Sequence, residues 1–272
     1  MPEGPEIRLA ADQLEQAIKP LVVSEVFFAF DHLKPYQAAL KGRCVVAVET
    51  HGKAMLTRFD NDLSIYSHNQ LYGRWMIRKA YDFPTSKRQL RLAIHNKVAS
   101  ALLYSASEIE VLTPEQVIGH PYLSALGPDV LSSDADDILG QLWSEKHRRR
   151  RFSSLFLDQR FIAGVGNYLR SEILFVAGLH PDLRPIDCSD GELERLANAA
   201  VSVSIQSYRQ HGVTNDLGRA AALKAKGQKY RQYRHWVFGR KDQPCRLCGA
   251  GIVEDTAASR RVYFCLRCQA LP

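Results

Sequence analysis

Two cysteine pairs near the end of the chain restrict its fold more than any other feature. The pairs are Cys245-x2-Cys248 and Cys265-x2-Cys268, and sixteen residues separate them. At this spacing each pair forms a knuckle, and the two knuckles close one tetrahedral site whose four thiolates select zinc. Disulfides are the alternative, but nothing indicates secretion and they do not explain two symmetric pairs. Because four ligands leave no open coordination position, the sequence predicts one structural zinc ion in a C-terminal finger.

Basic side chains lie within and beside the knuckles: Arg246, Arg260, Arg261 and Arg267. On a small, rigid hairpin these side chains would project into solvent. A basic zinc ribbon of this kind is suited to binding phosphate groups. The competing interpretation is a zinc-stabilised module for protein interaction, and the charge favours nucleic acid.

The first three residues, Met1, Pro2 and Glu3, indicate a second kind of chemistry. Proline is small enough to permit removal of the initiator methionine, which would leave Pro2 with a free secondary amine. An α-amino group titrates at about pH 8, about two to three units below lysine, so more of it is ready to attack a carbonyl carbon. Glu3 would supply a general acid or base beside this nucleophile. The simpler interpretation is that the segment only opens a helix.

Composition limits the class of protein. The chain has 272 residues, of which 46% are hydrophobic, and this favours two domains over one. A formal charge of +7 favours a polyanionic partner. No apolar run approaches the length of a membrane span, and the start of the chain lacks the features of a signal peptide. We therefore expect a soluble, cytoplasmic protein without a targeting signal.

The hydrophobic pattern divides the chain into a β-rich part and a helical part. Apolar residues recur at helical spacing from Pro5 to Lys19, which predicts an N-terminal helix. Short β-rich runs then follow as far as Tyr104, a pattern typical of an antiparallel sandwich or barrel. Gly127-Pro128-Asp129 is typical of a hinge, and capped helices follow it. We place a β domain at 1–126, a helical domain at 127–235 and the finger at 236–272.

Two glycine-containing segments are candidates for anion binding. Gly164-Val165-Gly166-Asn167 directly precedes a predicted helix, so its amides could bind an anion, and Asn167 could add a donor. Glycines between helices more often serve packing. Lys53 follows Gly52, and if it lies near Pro2 its positive charge would increase the reactive fraction of the amine. Most such lysines, however, are surface residues.

Gln70, Leu71 and Tyr72 combine a polar, an apolar and an aromatic side chain at what is predicted to be a strand end. A wedge that fills a base stack needs these properties. The same residues would equally suit a core position followed by a hairpin.

The segment from Arg219 to Lys241 contains eight Lys or Arg residues and no acid, with aromatic residues interleaved. Because like charges repel, this pattern predicts a mobile loop that phosphates would neutralise. The alternative is a solvated surface loop with no role in binding.

Together these features resemble the formamidopyrimidine-DNA glycosylase and endonuclease VIII family. The resemblance extends over nearly the whole chain. It rests on four segments in the family's order and spacing: residues 2–6, Gly52-Lys53, Gly164 to Asn167, and the four-cysteine finger. Ser67 to Gly73, with Gln70-Leu71-Tyr72, looks like the endonuclease VIII branch.

The resemblance implies an α+β fold with an N-terminal antiparallel β-sandwich and N-terminal helix, a helix-two-turn-helix domain and a four-cysteine zinc finger. It implies a DNA glycosylase and abasic-site lyase that removes oxidised pyrimidines by β,δ-elimination. Pro2 would attack C1′ of an everted nucleotide with help from Glu3, while Lys53 and Arg260 would support the eliminations. Asn167 would hold a phosphate of the DNA backbone. The gap left by the everted base would be filled by Gln70, Leu71 and Tyr72. The implied protein is a nucleoid-associated monomer that binds damaged double-stranded DNA.

Three departures from the family pattern affect these expectations. Ala125 stands where relatives carry a basic phosphate-contacting residue, and the segment between Tyr208 and Cys245 is longer and more basic than in relatives. Asp242 and Gln243 lie where the family usually has a glycine before Pro-Cys. Two other functions remain open at this point. One is an oxidised-purine glycosylase of the same family, and the other is a non-enzymatic zinc-ribbon DNA-binding protein.

Overall fold

The computed structural model describes residues 2–19 and 21–271. Its contacts divide the chain into two compact units. The first comprises Pro2 and residues 6–125, and the second comprises residues 3–5 together with residues 126 onward. The short segment Glu3–Pro5 thus groups with the C-terminal unit, although the chain on both sides of it groups with the first.

The first unit is an antiparallel β-sandwich. Its strands are β1 (Glu25–Phe28), β2 (Val45–His51), β3 (Ala54–Phe59), β4 (Ser64–His68), β5 (Arg74–Lys79), β6 (Leu90–His95), β7 (Ala99–Tyr104) and β8 (Glu108–Leu112). One four-stranded sheet has the order β1-β6-β7-β5, and the other has the order β2-β3-β4-β8. Apolar side chains from both sheets form one buried cluster, so the core lies between them.

Helix α1 (Gly4–Ile18) confirms the predicted N-terminal helix. Ile7, Ala11, Leu14 and Ile18 recur every three or four residues, and all four belong to the sandwich core. Two short helices complete the unit, α2 (Tyr36–Leu40) and α3 (Pro114–Ile118).

The second unit is helical and ends in a hairpin. Its elements are α4 (Ala135–Trp143), α5 (Phe152–Leu155), α6 (Asn167–Ala177), α7 (Asp190–Arg209), α8 (Leu217–Ala225), α9 (Tyr230–Tyr233), β9 (Ile252–Ala257) and β10 (Arg260–Cys265). Helix α6 is buried along nearly its whole length, and most of its apolar residues belong to the hydrophobic core of this unit. None of the helices that the structure describes is long and apolar enough to cross a bilayer.

The basic segment from Arg219 to Lys241 contains most of α8 and all of α9, so much of it is helical rather than loop, and its predicted mobility stays a prediction. Asp216 caps α8 by accepting the N–H of Arg219 at 2.8 Å. The carbonyl of Arg234 accepts the N–H groups of Thr214 and Asn215 at 2.8 and 3.0 Å. The helix cap and the backbone hydrogen bonds oppose the repulsion between the cations. Their partners, Asp216, Thr214 and Asn215, precede the segment in the chain.

Candidate active site

The side chain of Glu3 lies at the N-terminus of α6 and is buried, with 2% of the residue exposed. Its Oε2 accepts the N–H groups of Gly166 and Leu169 at 2.8 and 3.2 Å, and its Oε1 accepts the N–H of Tyr168 at 2.8 Å. Unpaired N–H groups at a helix N-terminus favour an anion. The sequence predicted an anion at this turn, and the structure shows that a carboxylate of the same chain takes these amides.

The glycine turn before α6 makes this contact possible. Gly164 adopts a φ of +92°, and its carbonyl accepts the N–H of Gly4 at 2.8 Å. A Cβ on Gly166 would lie only 2.5 Å from Cδ of Glu3. A side chain would therefore be disfavoured at both positions, by the positive φ at Gly164 and by the carboxylate of Glu3 at Gly166. The sequence alone does not reveal either reason. Asn167 follows them, and its Nδ2 donates to none of the residues that the structure describes.

Arg170 is a buried cation one turn into α6, and the sequence analysis missed it. Its Nη1 donates to the carbonyl of Ser153, and its Nη2 donates to Oδ1 of Asn167 and to the carbonyl of Arg261, both at 2.9 Å. Burial lowers the pKa of Arg170 to about 10, while the charge of Glu3 acts in the opposite direction. The guanidinium is therefore charged at neutral pH and links α6 to the hairpin strand β10.

Glu172 is a second buried carboxylate on α6. It accepts the N–H groups of Trp236, Val237 and Phe238 at 2.8 to 2.9 Å, and also the hydroxyl of Thr214. Each of its oxygens thus has two donors. The sequence signal is a pair of charged residues, Arg170 and Glu172, among the apolar residues of the helix.

The four cysteines of the finger come together as predicted. Their Sγ atoms lie within 4.8 Å of one another, with Cys245 to Cys268 at 3.8 Å and Cys248 to Cys265 at 3.4 Å. Zinc bonded to four thiolates at about 2.3 Å requires sulfur separations of about 3.8 Å. The cluster therefore fits a zinc ion.

The arginines of the finger differ in exposure. Arg260, Arg261 and Arg267 are exposed, as predicted. The prediction for Arg246 is wrong, because its guanidinium is partly buried and donates to the carbonyls of His235 and Gln232 at 3.0 and 2.6 Å. Arg246 therefore anchors the segment before the finger.

Pro2 and Lys53 belong to the first unit. Pro2 is half-buried, and Met1, whose removal the sequence predicts, lies outside the described residues. Lys53 is 5% exposed at the turn between β2 and β3, and its backbone N–H donates to Tyr122 Oη at 3.3 Å. Burial lowers the pKa of His68, Glu108 raises it, and the charge of Lys53 lowers it. Ala54, the next residue in the chain, pairs with His68, so Lys53 lies near the end of β4.

The turn Asn69–Gly73 joins β4 to β5 and contains the predicted wedge. A hydrogen bond of 2.7 Å from the N–H of its last residue to the carbonyl of its first closes the turn. Leu71 and Tyr72 are 58% and 67% exposed, which is unusual for adjacent large apolar side chains. Gln70 donates from Nε2 to Glu108 at 2.7 Å. The turn is thus held at its polar residue and exposes its two apolar ones.

Comparison with known proteins identifies the family. The chain is 45% identical over 271 residues to Endonuclease 8 of Klebsiella pneumoniae subsp. pneumoniae and to Endonuclease 8 of Escherichia coli, with 99% of this chain and 100% of each relative covered. The chain belongs to the formamidopyrimidine-DNA glycosylase and endonuclease VIII family. Members of this family are DNA glycosylases with AP lyase activity in base excision repair, so the predicted enzyme class is confirmed.

Two family domains match within the chain. Residues 1–105 match the Formamidopyrimidine-DNA glycosylase N-terminal domain, and residues 126–216 match the Formamidopyrimidine-DNA glycosylase H2TH domain. The H2TH match covers α4 to α7, including the glycine turn that receives Glu3.

Solved structures of the family share the fold. The formamidopyrimidine DNA glycosylase of Lactococcus lactis, non-covalently bound to DNA containing an AP site, is 19% identical with a TM-score of 0.81. MutM in complex with DNA containing carbocyclic 8-oxo-G is 20% identical with a TM-score of 0.82. Both matches cover 99% of this chain and 100% of the solved chain. They confirm the predicted α+β fold with a sandwich, an H2TH region and a cysteine hairpin.

Replacing Gly166 with alanine tests the position of the Glu3 carboxylate in this family member. The added Cβ would overlap Cδ of Glu3, so the carboxylate must leave the three amides. On the prediction that Glu3 assists base departure, we expect single-turnover base excision to fall by about 100-fold, the loss typical of a catalytic group displaced by about 1 Å. Gly140→Ala in α4 is the control, since no atom lies within 4 Å of its added Cβ. Normal excision by Gly166→Ala, at full folding, would show that this carboxylate position is not required.

Proposed function

We propose that this enzyme removes oxidised pyrimidines from damaged double-stranded DNA through a Schiff base on Pro2 and then cleaves the strand by β,δ-elimination. The observation that carries the proposal is the position of Glu3. Pro2 and Glu3 share a peptide bond, and three backbone amides hold the Glu3 carboxylate. A carboxyl group at a fixed place beside an N-terminal amine is the arrangement that amine attack and base departure require.

In the proposed reaction the Pro2 amine attacks C1′ of the everted nucleotide, and the bond from C1′ to the base breaks. Glu3 assists departure of the base and opening of the sugar ring, which yields the Schiff base. Elimination at C3′ and then at C5′ releases the phosphates on both sides. An everted nucleotide is needed because C1′ is not accessible to an amine inside a stacked duplex.

Three side chains are proposed as backbone contacts. Lys53 would bind the phosphate beside the lesion and support β-elimination, and Arg260 would support δ-elimination. Asn167 would hold another phosphate. The assignments of Arg260 and Asn167 are supported by their available donors. Arg260 is exposed, and Nδ2 of Asn167 donates to none of the described residues, so both can donate to an oxyanion.

The turn Asn69–Gly73 is proposed to fill the gap that the everted nucleotide leaves. Insertion between bases requires apolar side chains on a firm support. The exposed Leu71 and Tyr72, on a turn held through Gln70, meet this requirement. Their resemblance to the endonuclease VIII branch supports pyrimidine lesions over purine lesions.

One zinc ion, held by Cys245, Cys248, Cys265 and Cys268, is proposed as the structural metal of the finger. When bound, the ion would fix the hairpin that carries Arg260 and Arg261. Its chemistry is structural, because four thiolates complete a tetrahedral site.

DNA as the partner is supported by the formal charge of +7 and by the relatives solved with damaged DNA. A monomeric state, a cytoplasmic location in contact with the nucleoid, and domain boundaries at 126/127 and 235/236 stay predictions. A non-enzymatic DNA-binding protein is not favoured, since the similarity to Endonuclease 8 spans the whole chain.

Borohydride trapping tests the Schiff base. The mature protein, incubated with DNA containing an oxidised pyrimidine, is expected to form a covalent complex after reduction, and mass spectrometry should locate the link at Pro2. A tag that remains in front of Pro2 should abolish trapping, because it converts the amine to an amide. Equal trapping of the tagged protein would reject Pro2 as the nucleophile.

Lesion preference separates the pyrimidine proposal from the purine alternative. On matched duplexes we expect excision of thymine glycol to exceed excision of 8-oxoguanine by at least about tenfold in kcat/KM, a ratio that pocket contacts commonly provide. The measurement is single-turnover excision with an abasic-site duplex as a control for lyase activity. A preference for 8-oxoguanine would support the alternative.

Zinc content tests the metal. Cys248→Ser is expected to lose zinc and disorder the hairpin, because a thiolate site contributes folding free energy on the order of 10 kcal/mol. Cys188→Ser is the matched control, since this half-buried cysteine lies outside the cluster and should keep stoichiometric zinc. Elemental analysis and DNA affinity are measured together. Normal DNA binding by a zinc-free protein would contradict a structural role for the metal.

A further inference from the structure

A cleft of about 470 Å³ in the second unit is lined by basic and polar groups from separate elements. Arg231 and Arg234 come from α9 and the residue after it, Arg261 from β10, and Asn167 from the start of α6. None of the described residues that line this cleft is acidic. Nη1 of Arg261 lies 3.8 Å from Oε2 of Glu254, which is outside the lining. The excess positive charge of Arg231 and Arg234 favours an oxyanion such as a phosphate.

Arg234 is already ordered within this cleft. Its Nε donates to His235 Nε2 at 2.7 Å, and its Nη1 donates to Tyr230 Oη at 3.1 Å. The guanidinium carbon also lies 4.9 Å from the centre of the Tyr230 ring. Its Nη2 donates to none of the described residues. A guanidinium held in this way loses little conformational entropy when it binds an oxyanion.

A chain of buried groups orients the acceptor of Arg234. The hydroxyl of Thr214 donates to the carboxylate of Glu172 and lies 2.9 Å from Nδ1 of His235. Because the hydroxyl proton of Thr214 is donated to Glu172, its oxygen accepts a hydrogen bond from Nδ1–H of His235. The network therefore assigns the lone pair of the ring to Nε2. That lone pair accepts Nε–H of Arg234.

The imidazole in this chain is neutral. His235 is 3% exposed, and burial lowers its pKa well below the ordinary value, with the charges of Arg234 and Arg246 acting in the same direction. A protonated ring could not accept from Arg234. Glu172 also holds the backbone just after His235 through its three amide donors. Side chain and backbone are therefore fixed by the same carboxylate.

We propose that Arg234 binds a DNA backbone phosphate in this cleft and that Glu172, Thr214 and His235 are its positioning residues. The proposal rests on the proposed function in one respect, that the polyanion is DNA. It assigns a phosphate contact to the basic segment of Arg219 to Lys241, which the sequence analysis could not distinguish from a solvated loop.

The first test is a salt titration of binding with the full-length protein and undamaged duplex. Each phosphate contact contributes about 0.9 to the slope of log affinity against log salt. Arg234→Ala is expected to reduce this slope by about 0.9. It should also lower the affinity for damaged and for undamaged DNA alike, by about tenfold at moderate salt. Arg195→Ala, an exposed arginine on α7, removes the same charge elsewhere and should leave the slope unchanged. Arg234→Gln, which keeps a polar side chain, should behave as Arg234→Ala.

The second test separates positioning from stability. Thr214→Val and His235→Phe leave every formal cationic charge of the cleft in place, yet each should weaken DNA binding by several-fold. In the Arg234→Ala background neither should weaken binding further, because their effect passes through Arg234. A purely structural role would lower the thermal midpoint and weaken binding equally in both backgrounds.

An unchanged salt slope in Arg234→Ala and Arg234→Gln, with normal folding, would overturn the phosphate contact. Additive losses in the double variants would overturn the positioning chain. Undamaged duplex requires no excision, so these outcomes are independent of the borohydride trapping that tests the proposed reaction. An Arg234→Ala variant that forms the borohydride-trapped complex normally and keeps the full salt slope would reject only the proposed role of Arg234.

Discussion

The hydrogen bonds between the Glu3 carboxylate and the N-terminus of α6 are the constraint on which the proposed chemistry depends. Bonds to a charged group contribute about 1.5 to 3 kcal/mol each, and a helix N-terminus provides donors that would otherwise need water. The three amides hold a carboxylate next in the chain to the N-terminal amine. Gly166 has no side chain and so leaves room for this carboxylate. The glycine turn therefore determines where the carboxyl group of Glu3 lies.

Helix α6 carries two more charges into the core, and each connects a different segment to it. Buried charges destabilise a fold unless they are fully hydrogen-bonded. Glu172 meets this condition through Thr214 and three amides after His235. Arg170 meets it at its two Nη atoms, through Ser153 and the hairpin carbonyl of Arg261, while its buried Nε has no partner among the described residues. The finger and the segment before it are thus attached to the same helix that receives Glu3.

The long basic segment shows how a charge-rich stretch becomes ordered. Asp216 caps α8, the carbonyl of Arg234 pairs with the chain before α8, and Arg246 of the finger reaches back to the carbonyls of Gln232 and His235. This arrangement leaves Arg231 and Arg234 on the wall of one cleft. Basic side chains held in advance bind an oxyanion at lower entropic cost than those of a disordered loop.

The sequence alone was sufficient for features that depend on residue type and short spacing. The N-terminal helix, the antiparallel strands and the cysteine cluster follow from periodicity and from ligand spacing, which are local properties of the chain. Whether the strands form a sandwich or a barrel depends on distant pairings such as Glu25 with His95. Only the tertiary structure decided the surroundings of the site. Glu3 bonds residues 163 to 166 positions away, and Glu172 bonds residues 42 to 66 positions away. The sequence predicted Arg246 as a solvent-exposed arginine and attributed no role to Arg170, Glu172 or His235. Burial and distant partners determine what these polar groups do, and neither can be read from local sequence.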